Sequence, residues 1–420
     1  MNVLLIGKLA REHALGWWAA KSALVDKVYL LPEPSFQIEG VETIGCRETD
    51  VPCILKTIEG LKIDLAVVSC ERAIAQGVTD ALVEKGVPVF APSSNVAFLQ
   101  ASKSEAKFFM QRNRIPTPRF KAFSDFRKAA KYARGLGGME MVVKADGLSN
   151  GKGTAFLDDS EDIVDLISDY MIEGRFGKAS ESVVIEDFVY GYEVTAITVS
   201  DGTDWRLLAL SRAYKRLFDG DRGPSTIGMG AFTPFDTLVA KHLDTIRTKI
   251  IEPTYVGIKN EGLKFKGVLQ FSIIISETGP KLISYDVRLG SPEGETLLHI
   301  LKDKFFEIAL ATANGKLSDV DFSVDSPMFA AALAIVPNTY PISIPIDSII
   351  EVKSVPSNSE SSGIYWEDVK FKHGLAIGQG GRMAVVVASA DSKDNAKAKL
   401  YEFVSKIKMR NAHFRKDIGV

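Results

Sequence analysis

Cysteine is scarce in this 420-residue chain: Cys46, Cys53 and Cys70 are the only three, and all lie in its first sixth. With five scattered histidines beside them, they offer neither a disulfide framework nor a zinc-type ligand cluster, so buried free thiols in a reducing compartment are expected. Net charge is nearly absent as well. Lys and Arg number 51 against 53 Asp and Glu, a formal balance of -2, which excludes nucleic-acid binding as a property of the whole surface. Long apolar runs are missing too. The longest, Met328 to Pro337, is about half of the ~20 residues a membrane span needs. The apolar start, Val3 to Ile6, is broken by Arg11, Glu12 and His13 before a signal-peptide core can form. A cytoplasmic protein without a membrane partner is the expectation. There is no internal repeat and no low-complexity segment. What is present is 46% hydrophobic and 25% charged, a globular balance. The length is enough for roughly two to four domains.

Val3 to Ile6, Arg11 to Ser22 and Lys27 to Leu31 read as strand, helix, strand. Leu65 to Val68, a helix near Ala73 to Lys85, and Val87 to Phe90 repeat the alternation, which predicts a doubly wound α/β domain over residues 1–100. Its ligand edge belongs at the strand C-termini, Gly7 to Arg11 and Ser69 to Arg72. Ser102 to Asn113 reads as a helix closed by Ile115-Pro116-Thr117-Pro118. Beyond it, Met141 to Ala145, Thr154 to Leu157, Val183 to Val189 and Val194 to Ser200 are short β-like runs, the last ending in an Asp201-Gly202 turn. A β-rich middle over 101–324 follows, and then a third region, 325–420, opening near Asp325 with a buried strand at Ala330 to Val336. The fold class is thus α/β and α+β in several domains.

The most chemically informative segment is Val142-Val143-Lys144-Ala145-Asp146-Gly147-Leu148-Ser149-Asn150-Gly151-Lys152-Gly153-Thr154. Glycines let backbone N–H groups approach phosphate oxygens, and two lysines offset the charge of a triphosphate. It is not a Walker A loop, because three residues rather than four precede the Gly-Lys pair and Gly153 follows the lysine. Alone it is equally an ordinary hairpin with a polar tip. Val183 to Val189 carries Glu186 and Asp187 at a strand end, with Glu193 further on; alone, that is a surface strand end.

Taken in order, Lys103, Lys144 with Gly151-Lys152-Gly153, Glu186-Asp187-Phe188-Val189 and Glu193 resemble the nucleotide site of the ATP-grasp family. Within it the chain is most similar to the glycinamide ribonucleotide synthetases (phosphoribosylamine-glycine ligases). Arg11-Glu12-His13-Ala14-Leu15, Gly228-Met229-Gly230-Ala231, Arg288 with Gly290, Pro292 and Glu293, Gly380-Gly381-Arg382 and Arg415-Lys416-Asp417-Ile418-Gly419 extend the likeness over nearly the full length. The resemblance implies an ATP-grasp fold with an N-terminal Rossmann-like domain, a lid lobe at about 120–190 that closes over ATP, and a C-terminal domain. It implies ATP and Mg²⁺ (or Mn²⁺) as cofactors and a small carboxylate and an amine as substrates, in a monomer or small homo-oligomer. Carried over by position, Lys103 and Lys144 meet the ATP phosphates, and Ser149, Gly151, Lys152 and Gly153 form the lid. Glu186, Asp187 and Phe188 hold adenine, and Glu193 the ribose. Lys144, Lys215 and Arg288 are the catalytic candidates; Lys8, Arg11, Glu12, Glu71, Lys215, Arg288 and Gly290 are the substrate candidates.

The departures gather at substrate and metal positions. The family's Gly-Asn-Gly-Gly-Arg-Glu-His, a nest for phosphate, reads Gly7-Lys8-Leu9-Ala10-Arg11-Glu12-His13 here, and its Gly-Pro-Glu reads Ser69-Cys70-Glu71. Asp-His-Lys-Arg reads Ala213-Tyr214-Lys215-Arg216, and Asn-Thr-Gly-Gly reads Ser225-Thr226-Ile227-Gly228. On the strand where Leu282, Ser284, Asp286 and Arg288 alternate with Ile283, Tyr285, Val287 and Leu289, the family's Glu and Asn metal ligands are Ser284 and Asp286. Asp286 is therefore the expected principal ligand, with Ser284, Glu293 or Glu295 as helpers, since Mg²⁺ takes hard oxygens. These departures favour a ligase that forms an amide through an acyl phosphate but joins a different acid or amine. An authentic phosphoribosylamine-glycine ligase is the alternative, and a non-catalytic nucleotide-binding relative the second.

Overall fold

The computed structural model describes residues 1–149, 151–234, 240–323, 328–341 and 347–419. The sequence boundary near Asp325 and the loop residue Asn150 lie outside them. Five parallel strands open the chain: β1 (Asn2–Ile6), β2 (Lys27–Leu31), β3 (Val41–Thr43), β4 (Leu65–Val68) and β5 (Val89–Phe90), ordered β3-β2-β1-β4-β5. Helices α1 (Ala10–Lys21) and α2 (Val51–Ile58) belong to this unit. β1 and β4 are apolar and buried along nearly their whole length, as parallel strands covered on both faces must be. The helix expected over Ala73 to Lys85 is two, Glu71–Ala75 and Val78–Glu84, because Gly77 between them adopts φ +81°.

The thiol expectation is corrected for two of the three cysteines. Cys46 and Cys53 form a disulfide with Cα atoms 5.9 Å apart, while Cys70 is a free thiol. The chain between the bonded pair turns into the N-terminus of α2, where the Asp50 carboxylate accepts the Cys53 N–H at 3.1 Å.

Helix α3 (Lys103–Arg112) is capped by the Ser102 hydroxyl and leads into a four-stranded sheet. That sheet consists of β6 (Phe120–Phe123), β7 (Met141–Ala145), β8 (Thr154–Leu157) and β9 (Val183–Asp187) in the order β6-β9-β7-β8. Helices α4 (Phe126–Arg134) and α5 (Ser160–Met171) bury Ala129, Ala133, Ile163 and Ile167 against it, a separate small core.

A long antiparallel sheet forms the centre. Its main strands are β10 (Tyr192–Asp201), β11 (Trp205–Phe218), β12 (Arg222–Thr233), β13 (Lys266–Ser276), β14 (Gly279–Asp286), β15 (Phe329–Pro337), β16 (Ser362–Trp366) and β17 (Ala384–Ala390), with a short strand at Ala412–His413 pairing off β15. The order is β14-β13-β10-β11-β12-β15-β17-β16, so strands on either side of residue 325 share one sheet. Helix α6 (Glu293–Leu301) packs on it and against α1. One apolar cluster runs from Leu15 and Trp18 of α1 to Leu333 and Val385, joining the N-terminal unit to the last third of the chain. No helix among the described residues is long and apolar enough to cross a membrane.

Candidate active site

Strand C-termini of the first unit, the inner face of the β6–β9 sheet and strands β13 and β14 meet around one cavity of about 590 Å³. Every site residue expected from the sequence lines it except Gly153 and Glu295.

At the end of the cavity under the glycine loop, Asp146 ties α3 to that loop. Its carboxylate accepts from the Ser104 N–H at 2.8 Å and the Ser104 hydroxyl at 2.7 Å, and its carbonyl accepts the Lys103 N–H at 2.8 Å. Lys103 and Lys144 are thereby brought to one wall, and the Lys103 ammonium donates to the Gln100 carbonyl at 2.8 Å. Burial pulls the Lys103 pKa down, against the pull of Asp286. Gly151 sits at φ +72°, where a Cβ would strike the Ile227 side chain, so the loop is packed against one of the bulky departures. Gly153 is a closing element rather than a cavity wall: its N–H donates to the Ser149 hydroxyl at 3.1 Å and its carbonyl accepts from Ala145 at 2.8 Å. Lys152 and Leu148 line the cavity from the same loop.

Glu186 faces lysines. Its carboxylate pairs with Lys144 and, at 2.5 Å, with Lys107, and it is only 1% exposed. Burial would raise its pKa, but the two ammonium groups hold it below the usual carboxylate range. Asp187 pairs at the rim with Arg119 at 2.6 Å, and Phe188 meets Phe156 edge to face at 5.8 Å. Val142, Leu148, Phe156, Ile274 and Ile283 make this end apolar.

In the middle, Lys215 pairs with Glu193 and donates to the Ser272 hydroxyl at 2.9 Å. Burial works against its charge, yet Glu193, Asp286 and Glu293 hold the proton on more firmly than in water. Arg288 stands 3.2 Å from Glu71 and 3.7 Å from Asp286. Burial opposes ionisation of Glu71, but Arg288 and Arg11 outweigh it and bring its pKa to about 2.

The alternation expected on β14 is interrupted. Ser272 faces Ser284 and the next residue, Ile273, faces Leu282, so Ile283 is the extra residue of a bulge. Ile283 therefore reaches the cavity beside Ser284 and Asp286, and Leu282 is fully buried. Asp286 accepts from the Gln100 amide at 2.8 Å, and Gln100 accepts the Val287 N–H at 2.9 Å.

As a metal position the donor set is thin. Among the described residues no group of three or more His, Cys, Asp or Glu could hold an ion. Asp286 and Glu293 border the cavity, and Mg²⁺ that keeps waters and phosphate oxygens needs no more than one or two carboxylates, so they fit an ion held jointly with a nucleotide. Glu295 is corrected: two residues beyond Glu293 on α6, it is turned by about 200° to the other side of the helix. There it is fully buried, accepts from the Ser291 hydroxyl at 2.6 Å, and burial lifts its pKa to about 7.

The end of the cavity under the strand mouths of the first unit differs. Arg11 and Glu12 reach the wall, but their polar atoms are engaged in protein contacts. The Arg11 guanidinium donates to Glu12 at 2.6 Å, to the Leu289 carbonyl at 2.6 Å and to the Ser69 carbonyl. Glu12 also accepts from the Leu9 N–H at 2.7 Å and the Ser69 hydroxyl at 2.6 Å. A Cβ on Gly7 (φ +145°) would collide with the Glu12 side chain. Lys8 is an exposed cation of this end, as is Arg72, and stands 3.7 Å from Glu48. Gly290 lines the cavity next to Glu293, with Gln270 behind it.

Sequence reasoning missed Gln100, Glu48, Lys107 and the C-terminal wall of Tyr340, Glu367, Asp368, Gly381 and Arg382. Lys107 had a signal, since it is one helical turn from Lys103. Arg382 had one as well, in the Gly-Gly-Arg run, but its role lies in long-range contacts with Glu367 and Ser291 that the run itself does not encode.

Residues 1–100 match the N domain, 101–294 the ATP-grasp (A) domain and 330–420 the C domain of phosphoribosylglycinamide synthetase. A phosphoribosylamine-glycine ligase of Allochromatium vinosum is 34% identical over 100% of this chain and 98% of its own length. The chain belongs to the phosphoribosylglycinamide synthetase family. A bifunctional purine biosynthetic protein of Pichia angusta is 32% identical over the whole chain, which spans 53% of that protein. Among solved structures, a phosphoribosylamine-glycine ligase of Thermotoga maritima matches with a TM-score of 0.82 and 28% identity, over 99% of this chain and 100% of that one. A biotin carboxylase domain of Hydrogenobacter thermophilus, at 13% identity and a TM-score of 0.73, covers 98% of this chain and 91% of its own, and shares the fold. The family is one of ATP-grasp carbon-nitrogen ligases.

Proposed function

We propose that the chain joins glycine to phosphoribosylamine at the expense of ATP, a step of purine nucleotide assembly. The observation that carries this reading is the convergence of Lys103, Lys144, Lys215 and Arg288 on one cavity that also holds Asp286 and Glu293. Two anions, a carboxylate and a triphosphate, must meet there, and positioned cations overcome their repulsion. A carboxylate oxygen attacks the γ-phosphorus and the bond to ADP breaks. The amine then attacks the acyl carbon, loses a proton and expels phosphate. Lys103, Lys144 and Lys152 face the phosphates in this reading, the apolar slot with Phe156 takes the base, and Glu193 takes the ribose. Arg288 orients the acid through its planar fork. A magnesium ion arriving with the nucleotide would draw on Asp286 and Glu293 and add positive charge at the phosphates.

The end-to-end likeness to ligases of this name favours the authentic reaction over a specialised paralogue. The altered residues at the amine end are then local substitutions within one chemistry. An ADP-release assay over a panel of acids and amines tests this. Turnover with glycine and phosphoribosylamine alone is the expected result. Turnover only with another pair would restore the paralogue, and nucleotide binding without any turnover would mark a non-catalytic relative.

A further inference from the structure

Behind the nucleotide end lies a buried lysine that none of the roles above uses. Lys107 is on the same face of α3 as Lys103, one turn on, but it does not reach the cavity. It is 2% exposed; its ammonium stands 2.5 Å from one Glu186 oxygen and donates to the Thr117 hydroxyl at 2.8 Å. Thr117 in turn donates to the Leu282 carbonyl at 2.7 Å, on the strand that carries Ser284 and Asp286. The other Glu186 oxygen pairs with Lys144, which does reach the cavity. Two lysines thus share one carboxylate; burial lowers the Lys107 pKa to about 8 against the pull of Glu186, so the trio keeps one net positive charge at neutral pH.

We propose that Lys107 is a positioning residue for ATP: it satisfies Glu186 from behind, so that Lys144 can turn its charge to the phosphates without leaving a bare buried carboxylate. With Lys107 present, a shift of Lys144 toward the nucleotide leaves Glu186 paired. Without it, Glu186 and Lys144 neutralise each other, and pulling them apart strands a nearly fully buried carboxylate, which is strongly unfavourable. The acid is harmful only when Lys107 is missing. Lys107 and Glu186 should therefore be coupled in ATP binding, although Lys107 touches no ligand.

The inference rests on the cavity binding ATP, not on which acid and amine are joined, so ATP alone is the probe. Calorimetric titration of ATP into the full chain is run on wild type, Lys107→Met, Glu186→Gln and the double variant, with thermal melting of each as the check on folding. Lys107→Met should weaken ATP by roughly ten- to a hundredfold, the range for losing a supporting partner behind a binding group. In the Glu186→Gln background the same change should cost less than about threefold, because no carboxylate is left to strand. If Lys107→Met fails to fold, Glu186→Gln against the double variant still decides: equal affinities support the proposal. A loss of tenfold or more on removing Lys107 from Glu186→Gln, or unchanged affinity in a folded Lys107→Met, overturns it. Absence of ATP binding by the wild type overturns both this proposal and the nucleotide site itself, whereas failure of the glycine reaction alone leaves it standing.

Discussion

The two ends of the cavity use their charges in opposite ways. At the glycine-loop end Lys103 and Lys144 border open space, with Asp146 set behind them and the nearly fully buried Glu186 beside Lys144. At the end under the first unit Arg11, the residue that looks most like an anion receptor, is turned into the protein and fastens Glu12, Ser69 and Leu289 together. The difference teaches that a charged residue at a strand mouth is not thereby a ligand residue. What decides is whether its polar atoms are already satisfied.

The comparison can be broken most severely at Lys144. Lys144→Met should lower kcat/KM by on the order of a hundred- to a thousandfold, as when a group that stabilises developing charge is lost, with thermal stability nearly intact. A mild loss would mean that the nucleotide end does not depend on its lysines. Arg11→Met should act on the fold instead, costing about 3–5 kcal/mol in denaturant unfolding because the fully buried Glu12 is left without its cation. A stable Arg11→Met with only a raised KM would make the two ends alike.

A third test uses pH. Glu71 has its pKa depressed to about 2 from the model-compound value of 4.5, so between those values the unfolded chain binds a proton that the folded chain does not. Its contribution to stability is present above pH 4.5 and is lost as pH falls toward 2. Glu71→Gln should therefore flatten the decline of the denaturation midpoint across that window; an unchanged slope would remove the Glu71–Arg288 pair from the account. The smallest effect belongs to the rim. Glu48→Gln releases the exposed Lys8 and should lower KM for the anionic amine by up to about fivefold, the scale of an exposed ion pair. A rise in KM would show Glu48 contacting substrate.

Much of the frame was legible from residues alone. The buried parallel strands, Lys27–Leu31 above all, and the hairpin strands Met141–Ala145 and Thr154–Leu157 announce themselves by period and β-branching. Gly77 splits a helix that its neighbours would continue, and the bulge at Ile283 shifts a face that strict alternation assigns otherwise; both depend on a single backbone position. The Cys46–Cys53 bond depends on Cα placement that spacing does not encode. Glu293 and Glu295 look alike in sequence and are separated by the turn of one helix. The contact of Arg382 with Ser291 and that of Arg11 with Leu289 join residues 91 and 278 positions apart, contacts that no local pattern carries.

The central claim, that a carboxylate is activated by phosphorylation and then captured by an amine, has a direct test. Glycine labelled with ¹⁸O in its carboxylate is turned over with phosphoribosylamine and ATP, and the released phosphate is weighed by mass spectrometry. Acyl phosphate chemistry predicts one labelled oxygen per phosphate, carried over from the carboxylate when the amide forms. Unlabelled phosphate formed together with amide product would contradict it.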